Sequence, residues 1–145
     1  MPFQFAYSLE GVNSNPPLPV IWPLGGTGAY NTGDLLTIDA TTGYMGTVAA
    51  GNPGTVAGVA AGARASGTAG QPGTVYIVRP AQIWKCITNG TSYSVTPGAG
   101  SVQVLNAGTI NSVAGTTDNC ILYTSVIESG DTNITVYCRF PNTTF

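Results

Sequence analysis

The sequence contains no histidine and few charged residues of either sign. Its 145 residues include 4 Lys+Arg and 6 Asp+Glu, so charged residues are 7% of the chain and the formal net charge is −2. Histidine is the commonest metal ligand and the commonest general acid or base in proteins. Its absence argues against a metal site and against an enzyme. We therefore expect no catalytic residue, no metal, no cofactor and no small-molecule substrate.

Positive charge is also too sparse for nucleic-acid binding. The four cations, Arg64, Arg79, Lys85 and Arg139, are dispersed along the chain. Most nucleic-acid affinity comes from clustered Lys and Arg side chains that neutralise phosphates. We expect no nucleic-acid partner.

Long apolar runs are missing as well. Residues 1–10 alternate polar and apolar side chains and contain no Lys or Arg, unlike a secretory signal. Residues 43–62 have the lowest polarity, but they are rich in glycine and interrupted by Asn52-Pro53, unlike a membrane-spanning helix. We expect a soluble protein that is synthesised in the cytoplasm and has no membrane partner.

Cysteine is scarce and widely spaced. Cys86, Cys120 and Cys138 form no Cys-x-x-Cys pair, and each lies within an apolar run, which is typical of buried thiols. One alternative stays open. If residues 120–128 and 132–140 form a hairpin, Cys120 and Cys138 come close enough for a disulfide to be considered.

What the chain has in quantity is glycine, proline and β-branched residues. The 20 Gly and 10 Pro fall every few residues and leave no helical periodicity. Between them lie ten short β-branched or aromatic runs, each predicted as a strand: 18–22, 34–39, 44–49, 55–61, 74–79, 82–88, 92–96, 101–105, 120–128 and 132–140. The stretch 56–65 could also be helical, but its glycines favour a strand. This pattern predicts an all-β protein, either a small barrel or a sandwich.

The amino-terminal segment reads as a separate extended arm. Phe3, Phe5, Tyr7 and Leu9 share one face of an extended segment, and a proline-containing linker follows at 11–17. Such a strand could add to the sheet edge of another subunit. It could equally be the first strand of the protein's own sheet.

Exposed aromatic residues provide an alternative function. Trp22, Tyr30, Tyr44, Trp84 and Tyr93 could stack against sugars, as in a lectin-like β-sandwich or phage fibre module that binds host glycans. In a small β protein, aromatic residues more often form the core and interfaces.

The order of segments resembles the head decoration (cement) proteins of tailed bacteriophages, similar to the lambda-type β-tulip capsid-stabilising family. The resemblance covers roughly residues 1–88. It rests on the arm, the proline-flanked run 18–24, the Gly-Asp-then-strand phrase 30–39, the small-residue strand 56–61 and the valine strand 73–79.

The resemblance implies a division of the chain and a partner. It implies an arm and linker at 1–17 and a β-tulip-like core at 18–88. The chain departs from the family after residue 88, and we expect residues 89–145 to form an additional β lobe packed on the core, which the smallest family members lack. It also implies a homotrimer on the outside of the virion capsid, without an active site, whose arm residues Phe3, Phe5, Tyr7 and Leu9 bind the major capsid protein.

Overall fold

The computed structural model describes residues 3–8, 17–26, 28–48, 55–88, 101–114, 120–126 and 135–145. Every regular element within these ranges is a β-strand, so the predicted all-β class is confirmed. The eleven strands are β1 (Gln4–Ser8), β2 (Val20–Pro23), β3 (Leu35–Ile38), β4 (Met45–Thr47), β5 (Gly58–Ala60), β6 (Pro72–Ile77), β7 (Gln82–Thr88), β8 (Ser101–Asn106), β9 (Thr109–Ala114), β10 (Cys120–Val126) and β11 (Thr135–Arg139).

The strands form two sheets. The first has five antiparallel strands in the order β2-β6-β5-β3-β4. The second has six strands in the order β1-β7-β11-β10-β8-β9. Its strands pair antiparallel, except for a two-residue parallel pairing between β7 and β9.

Neither sheet closes into a barrel, so the predicted barrel-like form is wrong in this respect. In the six-stranded sheet, β1 pairs with residues 82–85 of β7. The pairing of β9 with β7 is therefore limited to Ile87 and Thr88, too short to close the sheet. In the five-stranded sheet, β2 and β4 are opposite edges. They are linked by a single parallel bridge between Leu24, just after β2, and Met45.

The main hydrophobic core lies between the two sheets. Its members come from both and are fully or almost fully buried: Phe3, Leu35, Val48, Val56, Val59, Val78, Trp84, Cys86, Ile110, Val136, Cys138 and Phe140. Backbone hydrogen bonds join the sheets around this core. The Phe3 N–H donates to the Gly33 carbonyl at 2.9 Å, and the Leu35 N–H donates to the Ala107 carbonyl at 2.7 Å.

A second core covers the other face of the five-stranded sheet. It contains Leu24, Tyr30, Leu36, Met45, Ala57, Ala60 and Val75. Because neighbouring strand residues point to opposite faces, Leu35 contributes to the first core and Leu36 to the second. Gly58 permits close packing in this region, since a Cβ there would lie 2.9 Å from the Tyr76 carbonyl oxygen.

Nine of the ten predicted strands are present, with bounds that differ from the predicted ones by at most about three residues within the described ranges. The stretch 56–65 contains β5 and no helix, which agrees with the predicted strand. No strand was predicted at the position of β9. The predicted strand at 92–96 lies outside the described residues. β7 belongs to the predicted 18–88 unit. It hydrogen-bonds to β1 of the predicted arm and to β9 and β11 of the predicted additional lobe. The division at residue 88 stays a prediction.

The burial of Phe3 generates the first testable prediction. Phe3 is 2% exposed, and its ring centroid lies 5.6 Å from that of Phe140. We expect Phe3→Ala to lower the free energy of unfolding by about 3–5 kcal/mol, as large-to-small core substitutions do. Gln4→Ala, at an exposed neighbouring position, is the control and should change it by less than about 0.5 kcal/mol. Urea denaturation measures both, and equal stability of the two variants would show that β1 is not docked in solution.

Candidate functional site

The structure places the predicted arm residues in the protein's own six-stranded sheet. β1 pairs antiparallel with β7, with a register shift between Phe5 and Tyr7. Phe3 is buried between the sheets, and Phe5 packs edge-on against Trp84 with 5.7 Å between ring centroids. Tyr7 pairs with Ile83 through its backbone, and Leu9 lies outside the described residues. This arrangement is the alternative in which the arm is the first strand of its own sheet, and its role in capsid binding stays a prediction.

A strip of exposed apolar side chains lies on and beside β2. This β2 strip consists of Leu18, Val20 and Ile21, which are 87%, 38% and 69% exposed. Close to its end, Trp22 packs edge-on against Phe145, with 5.5 Å between ring centroids. Sequence reasoning identified this segment as a strand but not as an exposed surface, because its composition resembles that of a core strand.

Prolines limit how the β2 strip can be covered. The Leu24 N–H donates to the Gln71 carbonyl at 3.0 Å, which fixes the alternation of hydrogen-bonded pairs along β2 and β6. By that alternation, Ile21 directs its N–H and carbonyl away from β6. The outward-directed neighbours on either side are Pro19 and Pro23, which have no N–H. The edge can therefore make few backbone hydrogen bonds with an added strand, and contact must come from side chains.

An open cleft of about 420 Å³ lies beside β4. Three segments and β4 line it: the loop after β2, the turn between β3 and β4, and the loop between β5 and β6. The lining residues are Gly25, Gly26, Gly28, Ala29, Tyr30, Asp39, Thr42, Tyr44, Gly46, Thr47 and Ala69. Tyr30 and Tyr44 were singled out by the sequence as possible sugar-stacking residues, and the structure brings both to this cleft.

Asp39 is the only carboxylate among the described residues that line this cleft. Its Oδ1 accepts hydrogen bonds from the N–H groups of Thr41 and Thr42, at 2.8 and 2.9 Å. These backbone hydrogen bonds lower the pKa of the carboxyl group, and the bond from Thr42 contributes most. Asp39 therefore presents a fixed negative charge at neutral pH.

Arg64 supports the wall of the cleft from behind. Its guanidinium carbon lies 4.6 Å from the centroid of the Tyr30 ring, and Nη2 donates to the carbonyls of Gly26 and Gly28 at 3.1 and 3.3 Å. Backbone hydrogen bonds in both directions join Tyr30 and Arg64. Burial raises the pKa of Tyr30, and the Arg64 charge opposes that rise. Sequence reasoning missed this role, because a single Arg in a Gly- and Ala-rich loop gives no signal of where its side chain lies.

Two cysteines form a buried pair in the main core. Cys86 and Cys138 are thiols, and they occupy diagonal positions across β7 and β11. Cys138 pairs with Leu122 of β10 and is not joined to Cys120. Burial, followed by the hydrogen bond to Cys138, raises the pKa of Cys86 well above its ordinary value. A thiol that stays protonated is a poor nucleophile and metal ligand.

Two absences hold for the described residues. Within these ranges, no three His, Cys, Asp or Glu side chains come together in a group that could hold a metal ion. The same part of the chain contains no helix of the length and apolar character needed to cross a membrane.

Comparison with protein-family models, curated proteins and solved structures finds no match to this chain. A functional proposal must therefore rest on the surfaces described above and on the resemblance in segment order.

The buried thiol predicts a pH dependence of stability. Below pH 9.0, the ordinary thiol pKa, the folded and unfolded states both hold the Cys86 proton. At higher pH the unfolded state loses this proton while the folded state keeps it, so the free energy of unfolding falls by up to about 1.4 kcal/mol per pH unit. We expect the free energy of unfolding of Cys86→Ala to fall less between pH 9 and 10 than that of the parent protein. Urea denaturation across this range checks it, and parallel pH profiles would contradict it.

Proposed function

We propose that this protein is a capsid decoration (cement) protein. It binds the outside of an expanded phage head as a homotrimer and stabilises the head by bridging major capsid proteins. It does so without catalysis, and it is synthesised in the host cytoplasm before joining the virion. The resemblance in segment order motivates the proposal.

The observation that carries the proposal is the β2 strip. Val20 and Ile21 are consecutive residues of an edge strand, so the strip borders both faces of that edge. Exposed apolar side chains grouped in this way are candidates for an interaction site. The strip contains no charged residue, and the chain has only 10 charged residues to compensate elsewhere. A surface of this kind is suited to permanent contact with a partner.

The geometry of β2 also suits contact with a preformed surface. Its prolines disfavour addition of a further strand, so the exposed side chains must pack against a surface that already has its own fold. An assembled capsid shell presents such a surface many times over. Repeated weak contacts to one lattice act together through multivalency.

Capsid binding by Phe3, Phe5, Tyr7 and Leu9 belongs to the same proposal. For Phe3 it requires that the amino-terminal strand leave its own sheet, with loss of its packing against Phe140. Substitution of Phe3 would therefore change folding and binding together. The β2 strip provides the cleaner test, because its side chains are exposed.

We expect Ile21→Asp to weaken shell binding by at least about tenfold, because burial of an unpaired carboxylate is strongly unfavourable. Ile21 is exposed, so the variant should unfold at nearly the same denaturant concentration as the parent protein. Ser66→Asp, an equal charge change in an exposed loop, is the matched control and should bind normally. Co-sedimentation with purified expanded shells of the same phage measures all three proteins. Full binding by the Ile21 variant would refute this role of the strip.

The homotrimer generates a separate prediction. Closed cyclic assembly covers apolar surface without open-ended polymerisation, and a three-fold capsid position selects three subunits. Light scattering at high protein concentration should report a mass near three times 14.7 kDa. Because few charges are available for screening, the association should be nearly insensitive to salt. A monomer at every concentration that remains monomeric when cross-linked on shells would exclude the trimer.

A further inference from the structure

The cleft beside β4 is separate from the surface used in the proposed function. None of the residues of the β2 strip lines it. Its volume of about 420 Å³ lies in the range of small-molecule sites, about 300–1,000 Å³. Four of its eleven lining residues are glycines, so backbone groups are accessible along its walls.

One wall offers hydrogen-bond donors. The carbonyls of Gly26 and Gly28 are occupied by Arg64. The N–H groups of Gly26, Gly28 and Ala29 have no acceptor among the described residues, and all three residues are exposed. The half-buried Arg64 side chain holds this wall through its hydrogen bonds to the two carbonyls, so the donors are positioned before a ligand arrives.

The edge of β4 adds another donor and acceptor. The Val48 N–H donates to the Leu35 carbonyl at 3.0 Å, and the Asp39 N–H donates to the Tyr44 carbonyl at 2.9 Å. By the antiparallel alternation, Thr47 directs its N–H and carbonyl away from β3, toward the open edge. The Met45 carbonyl points the same way and accepts a hydrogen bond from the Gly25 N–H at 2.7 Å.

The turn between β3 and β4 offers an anionic acceptor and an aromatic ring to the same cleft. Asp39 is exposed and held in one orientation by the N–H groups of Thr41 and Thr42. Tyr44 is half-buried and packs against Gly70. The cleft therefore combines fixed donors, one fixed carboxylate and part of an aromatic side chain.

This combination excludes several ligand classes. A phosphate would be repelled by Asp39, and the described lining residues include no Lys or Arg to compensate. A divalent cation prefers six or more oxygen ligands, with several carboxylates, and one carboxylate is present. An apolar ligand would leave the donors unsatisfied.

We propose that this cleft binds a neutral saccharide. Sugar hydroxyl groups both donate and accept hydrogen bonds, so one ring can donate to the Asp39 carboxylate and accept from the backbone N–H groups of the same cleft. The apolar C–H face of the ring packs against Tyr44. A neutral saccharide is not repelled by Asp39, and its hydroxyl groups can donate hydrogen bonds to that carboxylate.

The experiment uses saturation-transfer difference NMR on the full chain. The probes are glucose, galactose, mannose and N-acetylglucosamine, together with a β-linked disaccharide of each. At least one probe should bind saturably with a Kd on the order of millimolar, typical of a single small site.

Two glycine substitutions localise the binding. A Cβ at Gly46 meets no atom within 4 Å and Gly46 lines the cleft, so Gly46→Val places a side chain in it. Gly62 has the same open surroundings outside the cleft, and Gly62→Val is the matched control. Binding should be lost in the Gly46 variant and kept in the Gly62 variant. Asp39→Asn keeps an oxygen for the turn hydrogen bonds and should raise Kd at least about tenfold.

The contrary results are equally definite. No saturation transfer to any probe, or equal binding by the Gly46 and Gly62 variants, would overturn the saccharide site. The proposed decoration role is tested separately, because Gly46→Val leaves the β2 strip intact and should sediment with capsid shells like the parent protein.

Discussion

The fold depends on the burial of β3 on both of its faces. Leu35 and Leu36 are adjacent in sequence, point to opposite sides of the five-stranded sheet and are both 0% exposed. A sheet that is apolar on both faces needs a layer on each side. On the Leu35 side that layer is the six-stranded sheet, which contributes Trp84 and Val136 from its strands and Phe3 and Phe140 from positions next to its strands. On the Leu36 side it is the loop that follows β2, with Leu24 and Tyr30.

The use of a loop as the second layer explains where the cleft lies. A second sheet or a helix would have covered the Leu36 face with regular structure and satisfied its own backbone. A glycine-rich loop covers the apolar residues but leaves some N–H groups without acceptors. The Arg64 guanidinium satisfies carbonyls of this loop and not its N–H groups, because it donates to the carbonyls of Gly26 and Gly28 while it packs on Tyr30. Its Nε and Nη1 atoms are buried without an acceptor in the described part of the chain, so the loop holds this side chain at some energetic cost.

The sequence predicted the elements that depend on local composition. β-branched runs between glycines and prolines located β2 to β8, β10 and β11 closely enough to establish the all-β class. β9 escaped because Asn111 and Ser112 interrupt its apolar pattern. The alternation of Phe3 and Phe5 predicted an extended strand with one apolar face, but alternation is a local property. It does not specify which sheet accepts the strand, so the pairing of β1 with β7 required the structure.

The site features were harder to predict, for the same physical reason. The hydrogen bonds of Asp39 reach only two and three residues along the chain, so its role in the turn is a local property. Asp39 lines the same cleft as Gly28 and Ala29, and this depends on contacts between segments that are distant in sequence, such as the bridge between Leu24 and Met45. Likewise, the exposure of Ile21 depends on the position of β2 at the edge of its sheet, whereas the apolar composition of β2 is typical of a core strand.

Scarcity of charge gives the two proposed surfaces different physical characters. The β2 strip has no charge and few free backbone donors, so any contact there gains its energy from apolar area, at about 25 cal/mol per Å². Such contacts lack the long-range steering that charged surfaces provide, and specificity must come from shape and from repetition in a lattice. The cleft gains its energy from directional hydrogen bonds to a single small ligand. A chain with so few ionisable groups can therefore still distinguish partners, because its prolines decide where backbone pairing is blocked and its glycines decide where the backbone is accessible.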